Sequence, residues 1–154
     1  MNYRTVDELE HFEFKDARIQ SVYTRNGHLY MELEYVTILP ENSCNRDIRK
    51  MGTNYMLFQI QHAQITSFIE EGFTVYDADG NKTDTVDDKV LPVEEYAAGY
   101  EQLAEGTIYS LTQKGDSYEI CMDTKECERT YTICVTGNHN VEEWDRFMNR
   151  ESDY

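Results

Sequence analysis

Positive charge is scarce in this chain. Its 154 residues include 14 lysines and arginines against 30 aspartates and glutamates, so the formal net charge is −16. Nucleic acid and anionic membrane surfaces would repel such a protein, and we therefore expect neither as a partner. A negative surface favours a basic protein instead, because opposite charge speeds encounter and selects partners.

Long apolar runs and an apolar leader are also lacking. No stretch approaches the roughly 20 apolar residues that span a bilayer, and the opening MNYRTVDELEHFEF carries acids where a signal peptide is apolar. The sequence therefore predicts a cytoplasmic protein. In that reducing compartment the four cysteines, none of them in a Cys-x-x-Cys pair, are predicted to be buried thiols rather than disulfides or zinc ligands.

Catalytic signatures are missing as well. The chain has no Gly-x-Ser-x-Gly, no glycine-rich phosphate loop with a lysine and no His-Glu-x-x-His. These absences favour a non-enzymatic protein, and no cofactor is expected. A hydrophobic content of 40% and twelve tyrosines nevertheless predict a packed core. The length fits a single domain over 1–154.

Alternating apolar residues dominate the second half of the chain. Residues 107–136 are predicted to form a three-stranded antiparallel meander, because apolar side chains recur at every second position through three runs. A glycine turn between the first two strands would set Leu111 opposite Ile120 and Tyr109 opposite Met122.

The second turn of this meander is predicted at residues 124 and 125. That register pairs Met122 with Cys127 and Tyr118 with Tyr131, so the apolar faces of the strands coincide. One inward face then collects the apolar side chains of all three strands: Tyr109, Leu111, Tyr118, Ile120, Met122, Cys127, Tyr131, Ile133 and Val135.

An earlier hairpin is predicted from about 12–38, with its turn at 25–27. Two registers compete for it. A two-residue Asn-Gly turn would place Ile19 opposite Glu34, whereas a three-residue loop with a glycine bulge would place Ile19 opposite Leu33. We favour the second register because it separates apolar from charged side chains.

Further strands and two helices complete the expected elements. Strands are predicted at 54–61, 65–69 and 73–77, the last followed by an Asp79-Gly80 turn and a return strand at 82–86.

A short helix is predicted near 92–103, where a proline precedes apolar residues at helical spacing. Another is predicted near 141–150, because Asn140 and Glu143 form a capping box before an apolar stripe that includes Trp144. The expected class is α+β and predominantly antiparallel β, built as a barrel or a sandwich.

The meander followed by a tryptophan-bearing helix resembles the pleckstrin-homology superfold, in which such a helix closes an open barrel. The resemblance covers residues 107–150 and implies a barrel, while one fold hosts many functions. Phosphoinositide-binding members carry basic residues in the loop of the first hairpin. Here that turn, residues 25–28, reads Arg-Asn-Gly-His, so this role is not carried over.

Two charged clusters are candidate partner-binding sites. The loop 41–52 gathers Arg46, Arg49 and Lys50, which would attract an anion or an acidic surface. The second cluster is acidic and would meet a basic partner; its members are Glu142, Glu143 and Asp145.

Two other readings stay open. Alternating oxygen-bearing residues from Asp77 to Asp88 could wrap a cation, although Gly80 would be fourth in a loop where an EF-hand has its glycine sixth, and a plain Asp-Gly turn is favoured. The second is a small-molecule site, with or without enzymatic activity, between the sheet and its helices. It would draw on tyrosines and on the glutamines of 59–64.

Overall fold

The protein is mostly antiparallel β with one short α-helix, as seen in a computed structural model that describes residues 1–149. The strands, in chain order, are β1 Tyr3–Val6, β2 Phe12–Glu13, β3 Arg18–Arg25, β4 His28–Glu34, β5 Thr37–Ile38, β6 Met51–Thr53, β7 Met56–Ile60, β8 Gln64–Glu70, β9 Phe73–Tyr76, β10 Lys82–Val86, β11 Lys89–Val90, β12 Thr107–Lys114, β13 Ser117–Asp123, β14 Thr130–Thr136, β15 Asn140–Trp144 and β16 Phe147–Asn149.

The strands form three sheets in which every pairing is antiparallel. The largest is an open ten-stranded sheet in the order β1-β15-β7-β4-β3-β12-β13-β14-β8-β11, so β1 and β11 are its edges. A four-stranded sheet has the order β16-β6-β5-β2, and β9 pairs only with β10. The α+β class with antiparallel strands is therefore confirmed.

One helix, α1 (Tyr96–Leu103), follows a 3₁₀ turn at Val93–Glu95. This confirms the short helix predicted near 92–103. None of the helical segments within residues 1–149 has the length and apolar character needed to cross a membrane.

The predicted helix near 141–150 is wrong for the part that the structure describes; residue 150 lies outside it. Residues 140–144 form β15, which lies between β1 and β7 in the large sheet. Val141 and Trp144 are three positions apart and so point to opposite faces of the strand. Both are nevertheless fully buried. With both faces covered, the segment loses the alternation that identifies a strand, and its apolar spacing imitates a helix.

This correction removes the main feature of the resemblance to the pleckstrin-homology superfold. That resemblance depended on a closing helix after β14, and the chain forms β15 and β16 there instead. β15 inserts between β1 and β7, so this segment is the second strand from the β1 edge of the large sheet rather than a helix that closes a barrel.

Strands β12, β13 and β14 are consecutive neighbours, but only part of their expected register is correct. Leu111 lies opposite Ile120 as expected, whereas a bulge at Tyr109 leaves this side chain 59% exposed. The connection after β13 is longer than two residues, because a 3₁₀ turn occupies 125–127. Met122 therefore pairs with Tyr131 rather than with Cys127.

The cysteines are less buried than expected. All four are free; Cys127 is exposed in the turn after β13, and the others are partly exposed. Cys121 and Cys134 alternate with buried apolar side chains of β13 and β14, which puts them on the outward face of the sheet. The prediction of buried thiols is therefore wrong.

The hairpin β3–β4 uses both of the registers considered for it. Beside the turn the two-residue Asn-Gly geometry holds, with Asn26 and Gly27 at positive φ and Tyr23 opposite Tyr30. A bulge at Gln20 then shifts the pairing by one residue, so that Ile19 lies opposite Leu33. The bulge lets a tight turn coexist with an apolar inward face.

Helix α1 packs on β8 through Phe68, which is fully buried. Gly99 faces this ring so closely that an added Cβ would lie 2.7 Å from the ring and 3.1 Å from the Leu91 side chain. The glycine therefore makes room for the aromatic side chain that anchors the helix.

We expect Gly99→Ala to destabilise the protein by about 1–3 kcal/mol, the usual cost of overpacking a core. In an unobstructed helix the same change stabilises by about 1 kcal/mol, so the sign itself is diagnostic. Urea denaturation measures it, with Ala98→Gly on the exposed face of α1 as the control for helix propensity alone. If Gly99→Ala instead stabilises the protein, the Phe68 ring must move to accommodate the added Cβ atom.

Candidate functional site

The charge of the basic loop, residues 41–52, is largely neutralised by nearby carboxylates. The Arg49 guanidinium contacts the Asp47 carboxylate at 2.9 Å and lowers the pKa of that carboxyl to about 2. The Lys50 Nζ atom lies 3.0 Å from Glu13 Oε1. Arg46 is exposed and lines a shallow cleft beside Tyr3, Cys44, Met51 and Phe147. The loop therefore does not present three free cations as one patch.

The acidic residues at 142–145 do not form one surface. Strand alternation turns Glu142 inward, where it is fully buried. Glu143 points outward and contacts Arg4 at 3.5 Å, and it accepts a hydrogen bond from the Gln59 amide at 3.2 Å. Asp145 is exposed in the bend after β15. Of the three, Glu142 is inaccessible to a partner, contrary to the expectation for this cluster.

Glu142 is the most perturbed carboxyl among the described residues. The Thr5 hydroxyl donates a hydrogen bond to Oε1 at 2.7 Å, while Oε2 has no hydrogen-bond partner within residues 1–149. Burial raises the pKa of this carboxyl to about 8, and the negative charges of Glu8 and Asp7 act in the same direction. The group is therefore mainly protonated at neutral pH.

Glu142 belongs to a row of buried polar side chains on the inward face of β15. Asn140 donates a hydrogen bond to the Tyr118 hydroxyl at 3.1 Å, yet its Oδ1 has no partner in the described part of the chain. The Nε1 atom of Trp144 also has no partner there. Buried polar atoms are usually paired, so β15 carries a local cost in stability. Sequence reasoning missed this row because charged residues are mostly exposed.

A second feature that sequence reasoning undervalued is the acidic hairpin, residues 72–88. The chain leaves the large sheet at Gly72, forms β9 and β10, and returns at Asp88, whose Oδ1 accepts the Gly72 N–H at 2.6 Å. Every residue from Phe73 to Val90 is exposed. An isolated two-stranded hairpin is only marginally stable in water, and the apolar side chains of this one are at least 40% exposed within the described chain.

One aspartate of the acidic hairpin, Asp77, shapes its turn. Asp77 Oδ1 accepts hydrogen bonds from the backbone N–H groups of Asp79 and Asn81, both at 2.9 Å. This closes the predicted Asp-Gly turn, in which Gly80 has φ +82°. No group of three metal-binding side chains is found within residues 1–149.

A third feature is the tyrosine cleft, about 590 Å³ in volume, between α1 and two loops at one end of the large sheet. Its floor and walls come from the β3–β4 turn, the start of β8 and the helical segment. The lining residues are Thr24, Arg25, Asn26, Gly27, Ala63, Gln64, Ile65, Val93, Tyr96, Ala97 and Tyr100. The cleft therefore lies where the sheet meets the helix, the position expected for a small-molecule site.

Comparison of the chain with protein-family models, curated proteins and solved structures gives no significant match. Its function has to be inferred from geometry and charge.

Proposed function

We propose that the protein is a non-enzymatic binding protein that docks a basic protein partner on the acidic hairpin. The observation that carries the proposal is an exposed apolar face surrounded by aspartates. Phe73, Val75 and Val86 are 40–43% exposed, and Tyr76 is 62% exposed. Elsewhere in the protein the large apolar side chains of the strands are mostly buried.

Phe73, Val75 and Val86 share one face of the hairpin, whereas Tyr76 points to the other face. Phe73 lies opposite Val86, and Val75 follows Phe73 on the same side of the ribbon. The Arg129 guanidinium covers the base of this face, 4.9 Å from the centre of the Phe73 ring. A contiguous exposed apolar patch with a polar rim is typical of a protein-interaction site.

The charge of the hairpin selects the partner. Five aspartates lie within 72–88 against a single lysine, Lys82, for which the structure shows no ion pair within residues 1–149. The negative potential of the hairpin would attract a basic partner and speed its association. The partner would then bury an apolar side chain of its own against Val75 and Val86. We assign the contact to this hairpin rather than to Glu143 and Asp145, which stand apart from an exposed apolar face.

The cysteines and the net charge also bear on where the protein acts and on what it binds. We propose a cytoplasmic complex, because the four free thiols are compatible with a reducing compartment. The net charge of −16 argues against nucleic acid or an anionic membrane as the binding partner.

The proposal predicts that charge and apolar contact on the hairpin contribute separately. The variant Asp79→Asn/Asp84→Asn/Asp87→Asn should weaken binding about tenfold at low salt and much less at 0.5 M salt, because exposed charges are screened. Val75→Ser should weaken binding at both salt concentrations. The tagged protein captures basic proteins from a lysate of its own cells, and affinities are then measured with the purified partner.

The control removes the same number of charges from other elements: Glu10→Gln/Glu41→Gln/Asp116→Asn, all exposed positions. It should retain the same partner with nearly unchanged affinity. Equal weakening by the control and the hairpin variants would mean that only the overall charge matters. A partner whose affinity ignores all of these changes would bind elsewhere, and the proposal would be wrong.

A further inference from the structure

Hydrogen bonds hold together the two loops that line the tyrosine cleft. The backbone N–H of Ala63 donates to the Gly27 carbonyl oxygen at 2.7 Å, and the N–H of His62 donates to Nδ1 of His28 at 3.0 Å. These bonds join the β3–β4 turn to the start of β8. A ligand that enters the cleft would therefore meet a surface that is already formed, and less conformational entropy would be lost on binding.

One wall of the cleft is aromatic and backed by the core. Tyr96 and Tyr100 are partly buried, and the buried Phe68 ring packs behind them with ring centres 5.4 and 5.5 Å away. Burial raises the pKa of Tyr100 to about 12, so its hydroxyl stays neutral and can donate a hydrogen bond at physiological pH. Ile65 adds aliphatic surface opposite the helix.

Arg25 contributes to the lining of the cleft, and its guanidinium lies against Tyr23, just outside the lining residues. Arg25 lies 5.6 Å from the centre of the Tyr23 ring, and that ring stacks on Tyr30 at 5.2 Å. No ion pair involving Arg25 occurs within the described part of the chain. A guanidinium held against an aromatic ring and left without a carboxylate is suited to bind an external carboxylate through two parallel hydrogen bonds.

We propose that the tyrosine cleft binds a small planar aromatic carboxylate, with its ring against Tyr96 and Tyr100 and its carboxylate on Arg25. The volume lies within the 300–1,000 Å³ typical of small-molecule sites. The Gln64 amide at the rim offers a further donor. The site does not involve the acidic hairpin, so it stands or falls independently of the proposed protein partner.

In the test, the full chain is titrated with 2-naphthoate, and binding is followed through its amide NMR signals. We expect saturable shifts confined to residues around 24–27, 63–65 and 93–100. The neutral 2-naphthamide should bind at least about tenfold more weakly, a difference of about 1.4 kcal/mol. Octanoate, which keeps the carboxylate and lacks the ring, should also bind more weakly.

Arg25→Gln should reduce naphthoate affinity to that of the amide. Arg25 is exposed, so the variant should fold, and its dispersed spectrum verifies this. The matched control is Arg46→Gln, another exposed arginine beside a different cleft, which should leave binding unchanged. Four results would overturn the proposal: no saturable binding, equal binding of acid and amide, equal binding of octanoate, or no effect of Arg25→Gln.

Discussion

Replacing Glu142 with glutamine is expected to stabilise the protein strongly at pH 9 and only slightly at pH 5. The wild-type carboxyl is fully buried, its Oε2 has no hydrogen-bond partner among residues 1–149, and its pKa is raised from 4.5 in the unfolded chain to about 8. Glutamine has the same shape and can still accept the Thr5 hydroxyl hydrogen bond, but it never becomes charged.

The direction of this pH dependence follows from proton binding. Below pH 4.5 Glu142 is protonated in both states, so its ionisation does not lower the free energy of unfolding. Between pH 4.5 and about 8 the unfolded chain releases the proton while the folded protein retains it, so the free energy of unfolding falls by up to about 1.4 kcal/mol per pH unit. Above that window the loss is complete and constant.

The advantage of Glu142→Gln should therefore grow from under about 1 kcal/mol at pH 5 to roughly 3–5 kcal/mol at pH 9. Urea denaturation at both pH values measures it. Glu143→Gln is the matched control, because this neighbouring carboxyl faces outward beside Arg4 and should change stability by less than about 1 kcal/mol. A constant difference between Glu142→Gln and wild type at all pH values would show that the carboxyl does not titrate as inferred.

Replacing Trp144 with alanine is expected to cost about 3–5 kcal/mol, as for other fully buried large side chains. Its ring packs against Tyr3, Phe12 and Phe147, with ring centres 5.6–5.7 Å away. These partners come from both ends of the chain. Trp144 therefore joins the inserted strand β15 to the N-terminal segment.

The phenylalanine variant separates packing from polarity. Since Nε1 of Trp144 makes no hydrogen bond to any described residue, Trp144→Phe loses only ring volume and should cost about 1–2 kcal/mol. Far-UV circular dichroism follows unfolding in all three proteins, because Trp144 is the only tryptophan and fluorescence vanishes with it. Equal losses for the alanine and phenylalanine variants would contradict the packing role assigned to the aromatic ring at position 144.

Local signals in the sequence were sufficient where neighbouring residues decide the structure. The Asp79-Gly80 and Asn26-Gly27 turns and the short helix α1 are set by turn and helix chemistry that is visible in a few adjacent residues. The β3–β4 register was only half predictable. The bulge at Gln20 arises from two demands, tight turn and apolar face, that no single register satisfies.

The rest depends on contacts between distant parts of the chain. β15 is a strand because β1 and β7 cover both of its edges, and the sequence of 140–144 gives no sign of these neighbours. The same insertion buries Glu142, which sequence reasoning assigned to the surface. The acidic hairpin was predicted as strands, but its complete exposure, the basis of the proposed function, became visible only in the folded chain.

Site-specific photocrosslinking would test the central claim most directly. Val86 on the apolar face of the acidic hairpin is 43% exposed, and Val6 on β1 is 39% exposed, so they form a matched pair for replacement by p-benzoylphenylalanine. The protein carrying the crosslinker at position 86 should trap one basic protein, and the protein carrying it at position 6 should not. Crosslinking of that partner from position 6 alone, or of no basic protein from position 86, would contradict the assignment of the acidic hairpin as the docking surface.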